Sequence, residues 1–372
     1  MPGFAIIGCG YVADLYMRSL ALYPEARVTR VFDRDPERLA AFCAHWKLPA
    51  ASSMKAFLDA LSPGDIVLNL TNPASHFDIS RALLDHGCHV YSEKPLAMTL
   101  DQARELHALA RDRGLQLASA PCSLLGEAAQ TLGRALSDGT AGTPRLVYAE
   151  LDDGFIPQAP YRDWQSESGA PWPAADEFAT GCTLEHAGYY LSWLIGFFGP
   201  VAHVTAHAAE LLPGKEGGGA PDFSVAVLQF EGGPVARLTC SILAPHDHRI
   251  RVIGDRGVLE IKKAWDNGAE LRFHRRFTLR RRLLEHPLGK RLRLKGPTHP
   301  KPPRRGAAAM NFALGPMELA EAVEAGRDSR LGGDFALHLN EVTLAIQNAG
   351  DKGGSFEMTT RCDRPEPMPW AR

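Results

Sequence analysis

Over the first 120 residues, short apolar runs alternate with segments whose apolar positions recur at helical spacing. Phe4-Ala-Ile-Ile, Arg27–Phe32, Asp65–Leu70, Cys88–Tyr91 and Leu115–Ala118 read as strands. Between them, Tyr11–Leu22, Glu37–His45, Ser75–His86 and Thr99–Arg113 read as helices, with Thr99 as an N-cap. This alternation predicts a doubly wound parallel sheet with helices on both faces, a Rossmann-type arrangement over residues 1–120.

Beyond residue 120 the rhythm changes. Helices are predicted at Leu124–Ser137, Thr183–Phe198, Asn311–Glu324 and Phe335–Asn348. Five strand-like runs arrive with little helix between them: Ala202–Ala209, Phe223–Phe230, Val235–Leu243, Arg249–Ile253 and Val258–Ile261. Consecutive strands joined by short turns such as Glu231-Gly-Gly-Pro234 predict an α+β domain over 121–372 with a large, mostly antiparallel, open-faced sheet. The chain past Asp363 is Pro-rich and reads as a loose tail.

The segment from Arg272 to Arg305 interrupts this picture. It holds 13 Lys and Arg residues against one acid, Glu285, and five prolines interrupt any long helix. It reads as a solvated basic loop; docking of an anionic partner is the alternative.

Bulk composition narrows the function classes. A formal net charge of −2 supplies no global attraction to nucleic acid or to an anionic membrane. The most apolar stretch, Leu191–Val201, is too short to span a bilayer. The seven cysteines are scattered and never form a CxxC pair, the usage of a reducing, cytoplasmic setting. The glycine motif starts at Gly8, which leaves no room ahead of it for a cleavable leader.

That motif is Gly8-Cys-Gly10-Tyr11-Val12-Ala13, placed between a predicted strand and a predicted helix. Gly8 permits a tight turn, Gly10 lets the backbone approach a pyrophosphate at the helix N-terminus, and Ala13 lets the helix pack closely. Asp33 lies 23 residues past Gly10, at the end of the second strand, where a carboxylate bonds ribose hydroxyls. That favours NAD, while Arg34 beside it leaves NADP open. A second motif, Ser92-Glu93-Lys94-Pro95-Leu96, follows the fourth strand, so Lys94 is aimed at the cofactor crevice. An ammonium there assists loss of a hydroxyl proton as hydride departs.

These two motifs and Thr71-Asn-Pro-Ala-Ser-His76 occur in the order and spacing of the glucose-fructose oxidoreductase / inositol dehydrogenase family, Gfo/Idh/MocA, which the chain resembles along nearly its whole length. The resemblance implies hydride transfer between nicotinamide and a hydroxyl or keto carbon of a sugar, cyclitol or related polyol. It also implies that Thr71, Asn72 and His76 line the nicotinamide side, that Glu93 contacts its end, and that the protein is a homo-oligomer.

The chain departs from the family where relatives carry Asp-x-x-x-His. Here the run is Gly181-Cys-Thr-Leu-Glu185-His186-Ala-Gly188-Tyr189-Tyr190, which puts His186 at the aspartate position and Tyr190 at the histidine position. Lys94, His186 and Tyr190 are therefore the candidate catalytic residues, and helical spacing turns Glu185 to another face. His246 and His248 flank an aspartate, but with no third ligand in view no metal is expected. Trp164, Trp172 and Tyr161-Arg162-Asp163 read as an aromatic loop. Two other readings follow from the altered pair: a redox-neutral NAD-dependent lyase or glycosidase, and a non-catalytic NAD(P)-binding regulator.

Overall fold

A computed structural model describes residues 3–304 and 306–372. Its N-terminal part contains β1 (Gly3–Ile7), α1 (Tyr11–Leu20), β2 (Arg27–Phe32), α2 (Pro36–Trp46), α3 (Met54–Leu58), β3 (Ile66–Asn69), α4 (His76–Asp85), β4 (His89–Ser92), α5 (Leu100–Asp112) and β5 (Leu117–Ser119). All five strands pair in parallel in the order β2-β1-β3-β4-β5. Residues of β1, β3 and β4 are almost all buried, as both faces of a parallel sheet covered by helices require. The predicted cap forms, Thr99 accepting from the Gln102 amide, and Asp35 caps α2 by accepting from the Glu37 and Arg38 amides.

The rest of the chain contains α6 (Glu127–Ser137), β6 (Pro144–Asp152), α7 (Ala174–Thr180), α8 (Gly188–Phe198), β7 (Val201–Ala209), β8 (Phe223–Phe230), β9 (Val235–Ser241), β10 (Ile250–Gly254), β11 (Gly257–Ile261), β12 (Leu271–Leu279), β13 (Arg282–Glu285), β14 (Lys290–Leu292), α9 (Leu314–Ala325), α10 (Gly333–Gln347) and β15 (Gly354–Glu357). Their sheet runs β13-β12-β11-β10-β6-β9-β8-β7-β15, with β14 on β12. Among the described strands of this sheet, only the β6–β9 pair is parallel. Alternating burial along β8 and β9 puts one face on the helices. The other face exposes Leu146, Tyr148, Val227 and Val235.

One hydrophobic cluster runs from Phe4, Ile6 and Tyr16 of the first sheet region to Trp193, Val204 and Leu238 of the second. The late helices bridge the two: Ala336 and Leu337 of α10 join the core under α4 and α5, and the Ser119 amide donates to Leu331 O.

Two expectations are corrected. The basic segment is not simply a loop, since β12, β13 and β14 extend the second sheet at its edge. Long cationic side chains are at home there because one face and one edge of those strands are solvated. The tail past Asp363 is anchored: the Met368 amide donates to Gln130 Oε1 at 2.9 Å, and Arg330 Nε donates to Glu366 O at 2.7 Å. No helix among the described residues is long and apolar enough to cross a membrane.

Candidate active site

Ile7 of β1, Asn69 of β3 and Ser92 of β4 lie in register across the first sheet. Gly8–Ala13, Leu70–His76 and Glu93–Pro95 therefore leave one common edge, the carboxyl edge where open parallel sheets take their ligands.

Gly8 sits at φ +97°, and a Cβ there would stand 2.5 Å from the Leu70 carbonyl oxygen. Both facts require glycine. Gly10 is the N-cap of α1 and has no side-chain cap; a Cβ on it would meet nothing within 4 Å. The first amides of α1, at Tyr11 and Val12, thus face an unobstructed approach suited to an anion. Ala13 is fully buried, which brings α1 close against the sheet.

Asp33 follows β2, and its carboxylate accepts from the Cys9 amide at 2.7 Å and the Asp35 amide at 2.8 Å. It ties the strand end to the glycine turn. Arg34 is exposed beside it, and Arg38 Nη1 lies 3.9 Å from Asp33 Oδ2. The Asp33 carboxylate thus has the Arg38 guanidinium close by, and Arg38 was not anticipated. A tight glycine turn, an open helix N-terminus and a carboxylate at the next strand end fit a dinucleotide.

Thr71 and Asn72 are partly exposed at the same edge. Thr71 Oγ1 donates to Asn69 Oδ1 at 2.7 Å, and Asn72 Oδ1 accepts from Ser75 Oγ at 2.7 Å. His76 is fully buried, with Nδ1 2.7 Å from Pro95 O and Nε2 2.9 Å from Thr71 O. It braces the two loops from behind, with both ring nitrogens at backbone carbonyls. Burial lowers its pKa.

Glu93 is buried, accepting from Tyr16 Oη at 2.5 Å and from the Lys94 amide at 3.1 Å. Tyr16 therefore links the glycine-turn helix to the Glu93-Lys94 loop. The Lys94–Pro95 bond is cis.

Lys94 Nζ makes an ion pair with Glu185, its side chain 18% and that of Glu185 4% exposed. Burial alone would lower the Lys94 pKa, but the Glu185 carboxylate and then Glu177 outweigh it, so the amine stays charged well above its ordinary range. Glu177 stands within hydrogen-bonding reach of Glu185; burial and then the Glu185 charge push its pKa up.

Sequence spacing had turned Glu185 away. Residues Thr183–Ala187 form a π-helical turn ahead of α8, and α-helical spacing does not hold through a wider turn. Glu185 reaches Lys94 as a result. Tyr190, placed by alignment at the family's histidine position, is instead 1% exposed, with a hydroxyl that has no hydrogen-bond partner. Burial, then Asp153 and Asp247, hold its pKa well above the usual tyrosine value. The structure does not bring Tyr190 to Lys94.

His186 faces Asp153, with Nδ1 3.3 Å from Oδ2. Burial lowers its pKa against the opposing pull of Asp153. Asp153 also gathers His248 (Nε2 to Oδ1, 3.2 Å) and His246 (Nδ1 to Oδ1, 3.5 Å). Trp265 stacks on His248 with centroids 5.5 Å apart and lies 4.3 Å from the Tyr189 ring. The aromatic loop closes over α7: Trp172 packs edge-on against Trp164 at 5.3 Å and Phe178 at 5.5 Å. Glu177 and Asp153 were not anticipated. The only signals were an acid in a short apolar helix and an Asp-Asp pair ending a strand.

Two family models match the chain: the oxidoreductase family with an NAD-binding Rossmann fold over residues 3–120, and the GFO/IDH/MocA C-terminal domain over 129–260. The chain is 31% identical over 254 residues to the uncharacterized oxidoreductase YdgJ of Escherichia coli K12, covering 68% of each protein. It is 26% identical over 266 residues to mouse trans-1,2-dihydrobenzene-1,2-diol dehydrogenase, covering 70% of this chain and 75% of that one. An inositol dehydrogenase homolog from Azotobacter vinelandii, solved with NADH and myo-inositol, shares the fold. Its TM-score is 0.75 at 19% identity, over 96% of this chain and 97% of the other. The chain belongs to the Gfo/Idh/MocA oxidoreductase family and carries its NAD(P)-binding domain.

Proposed function

We propose that this family member is a dehydrogenase or reductase for a hydroxyl or keto carbon of a sugar, cyclitol or related polyol, with Lys94 and Glu185 moving the hydroxyl proton. The observation that carries this reading is the shielded Lys94–Glu185 ion pair at the carboxyl edge of the sheet that also presents the glycine turn. The names of relatives, among them mouse dihydrobenzenediol dehydrogenase, support the substrate class.

Gly8, Gly10, the amides of Tyr11 and Val12, and Asp33 would hold NAD(P), with Thr71, Asn72 and Glu93 toward its nicotinamide end. When bound, it supplies the carbon that accepts or returns hydride. The protein's part is the proton. The Lys94 ammonium donates a hydrogen bond to the substrate oxygen and lowers its pKa. As the C–O bond gains double-bond character, the hydroxyl proton moves to Lys94 Nζ while Lys94 passes one of its own to Glu185. The pair ends as ammonium and carboxylic acid, and the reverse transfer serves reduction. A Glu177 that carries its proton would donate to Glu185 and hold that carboxylate against Lys94. His186, on the Asp153 side, is a hydrogen-bonding partner for a neighbouring substrate hydroxyl.

Seven free, buried cysteines support a reducing, cytoplasmic setting. The exposed Leu146, Tyr148, Val227 and Val235 face supports pairing of copies. The test is nicotinamide absorbance over sugars, sugar acids and cyclitols, repeated with Lys94→Ala.

A further inference from the structure

We propose that Asp153, His246 and His248 form a binding site for a divalent transition metal of the zinc class, beside the Lys94–Glu185 pair. The three side chains come from two segments that the backbone holds together. Asp152 and Asp247 exchange both main-chain hydrogen bonds at 3.0 Å, the Asp153 amide donates to Ser241 O at 2.8 Å, and the Ala264 amide donates to His248 O at 2.8 Å. The site is thus preformed.

The donor atoms stand as metal ligands do. Asp153 Oδ1 lies 3.2 Å from His248 Nε2 and 3.5 Å from His246 Nδ1, and all three donor atoms fall within 4.8 Å of one another. A tetrahedral ion with bonds of 2.0–2.1 Å sets its ligands about 3.3–3.4 Å apart. The His248–Asp153 contact is an ion-pair contact. The buried His248 Nε2 has no aligned hydrogen-bond partner despite its short distance to the carboxylate, and His186 Nδ1, 3.3 Å from the other Asp153 oxygen, also has none.

The supporting residues fit the same purpose. Trp265 lies flat against His248, 24° from parallel, and fixes its plane. Gly154, at φ +81°, leaves room for His246, whose Nε2 would stand 2.9 Å from a Cβ there. Two imidazoles and one carboxylate are a ligand set for zinc-like ions, and three protein ligands leave a position open. His246 is 69% exposed, so the open side faces solvent. Under the dehydrogenase reading, that position takes an oxygen of a vicinal diol or an α-hydroxy acid and orients its neighbour on Lys94.

The test is metal binding itself. The full-length protein, stripped with chelator, is titrated with Zn²⁺ by calorimetry and with Co²⁺ by visible absorption, alongside Asp153→Asn, His248→Ala and the exposed His246→Ala, each checked for folding by circular dichroism. We expect one equivalent bound, with Co²⁺ bands of low-coordinate intensity, and affinity at least about 100-fold weaker in every folded variant. Absence of stoichiometric binding in the wild type overturns the proposal. So does binding that survives in the folded His246→Ala protein together with either other variant. Neither result touches the Lys94 reading, because no turnover is measured.

Discussion

Lys94, on the loop after β4, and Glu185, on the π-helical turn before α8, form an ion pair that joins the two sheet regions at the cofactor edge. Its consequences differ for each partner and for Glu177 behind them. Glu185→Gln removes the charge that keeps Lys94 protonated and the acceptor for the relayed proton. Turnover should fall at least about tenfold, with the pH–rate profile displaced toward lower pH on the side that reports Lys94. Glu177→Gln puts a neutral amide in place of an acid whose pKa burial and Glu185 push up. It should retain activity within about threefold and unfold at nearly the wild-type temperature, whereas a carboxylate needed in charged form would show the larger loss.

The two glycines of the turn should fail differently. Gly8→Ala places a Cβ against the Leu70 carbonyl at a φ of +97°, a cost above about 2 kcal/mol visible in denaturant unfolding. Gly10→Ala meets open space and has ordinary dihedrals. Its stability should match wild type, while NAD affinity falls at least about tenfold in calorimetric titration.

Asp33→Ala removes the carboxylate that holds the Cys9 and Asp35 amides and would receive the ribose hydroxyls. We expect NAD affinity to drop by about tenfold or more, the scale of a lost charged hydrogen bond. NADP should lose less, because Arg34 and Arg38 remain. The check is the ratio of KM for the two cofactors; an unchanged ratio would show that Asp33 only shapes the loop.

His338 predicts a stability profile. Its Nε2 accepts from the Val201 amide at 2.9 Å, and burial pushes its pKa down to about 4 from an ordinary 6.5. Between those values the unfolded chain takes up a proton that the folded chain refuses. Stability from this group is therefore complete above pH 6.5 and declines as pH falls toward 4, by roughly 2–3 kcal/mol. His338→Gln, whose amide oxygen replaces the acceptor, should flatten denaturant-unfolding curves measured across that window.

The parallel half of the fold was legible because its central strands β1 and β3 are short apolar runs and its caps are local. The edge strands β12 and β13 were hidden by their arginines, since half-solvated strands carry little apolar signal. The tail gave no sign of its anchor, because Gln130, which holds it, is 238 residues away from Met368. In the site, Lys94, Asp33 and the glycine turn follow from motifs whose geometry is set by a few neighbouring residues. Glu185 was misread because the π-helical turn changes the facing of side chains without any marker in composition. Asp153 meets His246 and His248 only through the β6–β10 side of the sheet, a pairing that periodicity along the chain does not encode.

The central claim is that Lys94 serves proton transfer beside a bound nicotinamide cofactor. The direct measurement is reduced-nicotinamide formation by wild type and Lys94→Ala over a panel of sugars, sugar acids and cyclitols, with cofactor affinity measured on the same samples. The account predicts turnover of at least one polyol by wild type, and at least about 100-fold slower turnover by Lys94→Ala at unchanged cofactor affinity. Full activity in Lys94→Ala, or a wild-type protein that holds the cofactor and reduces none of it across the panel, would contradict it.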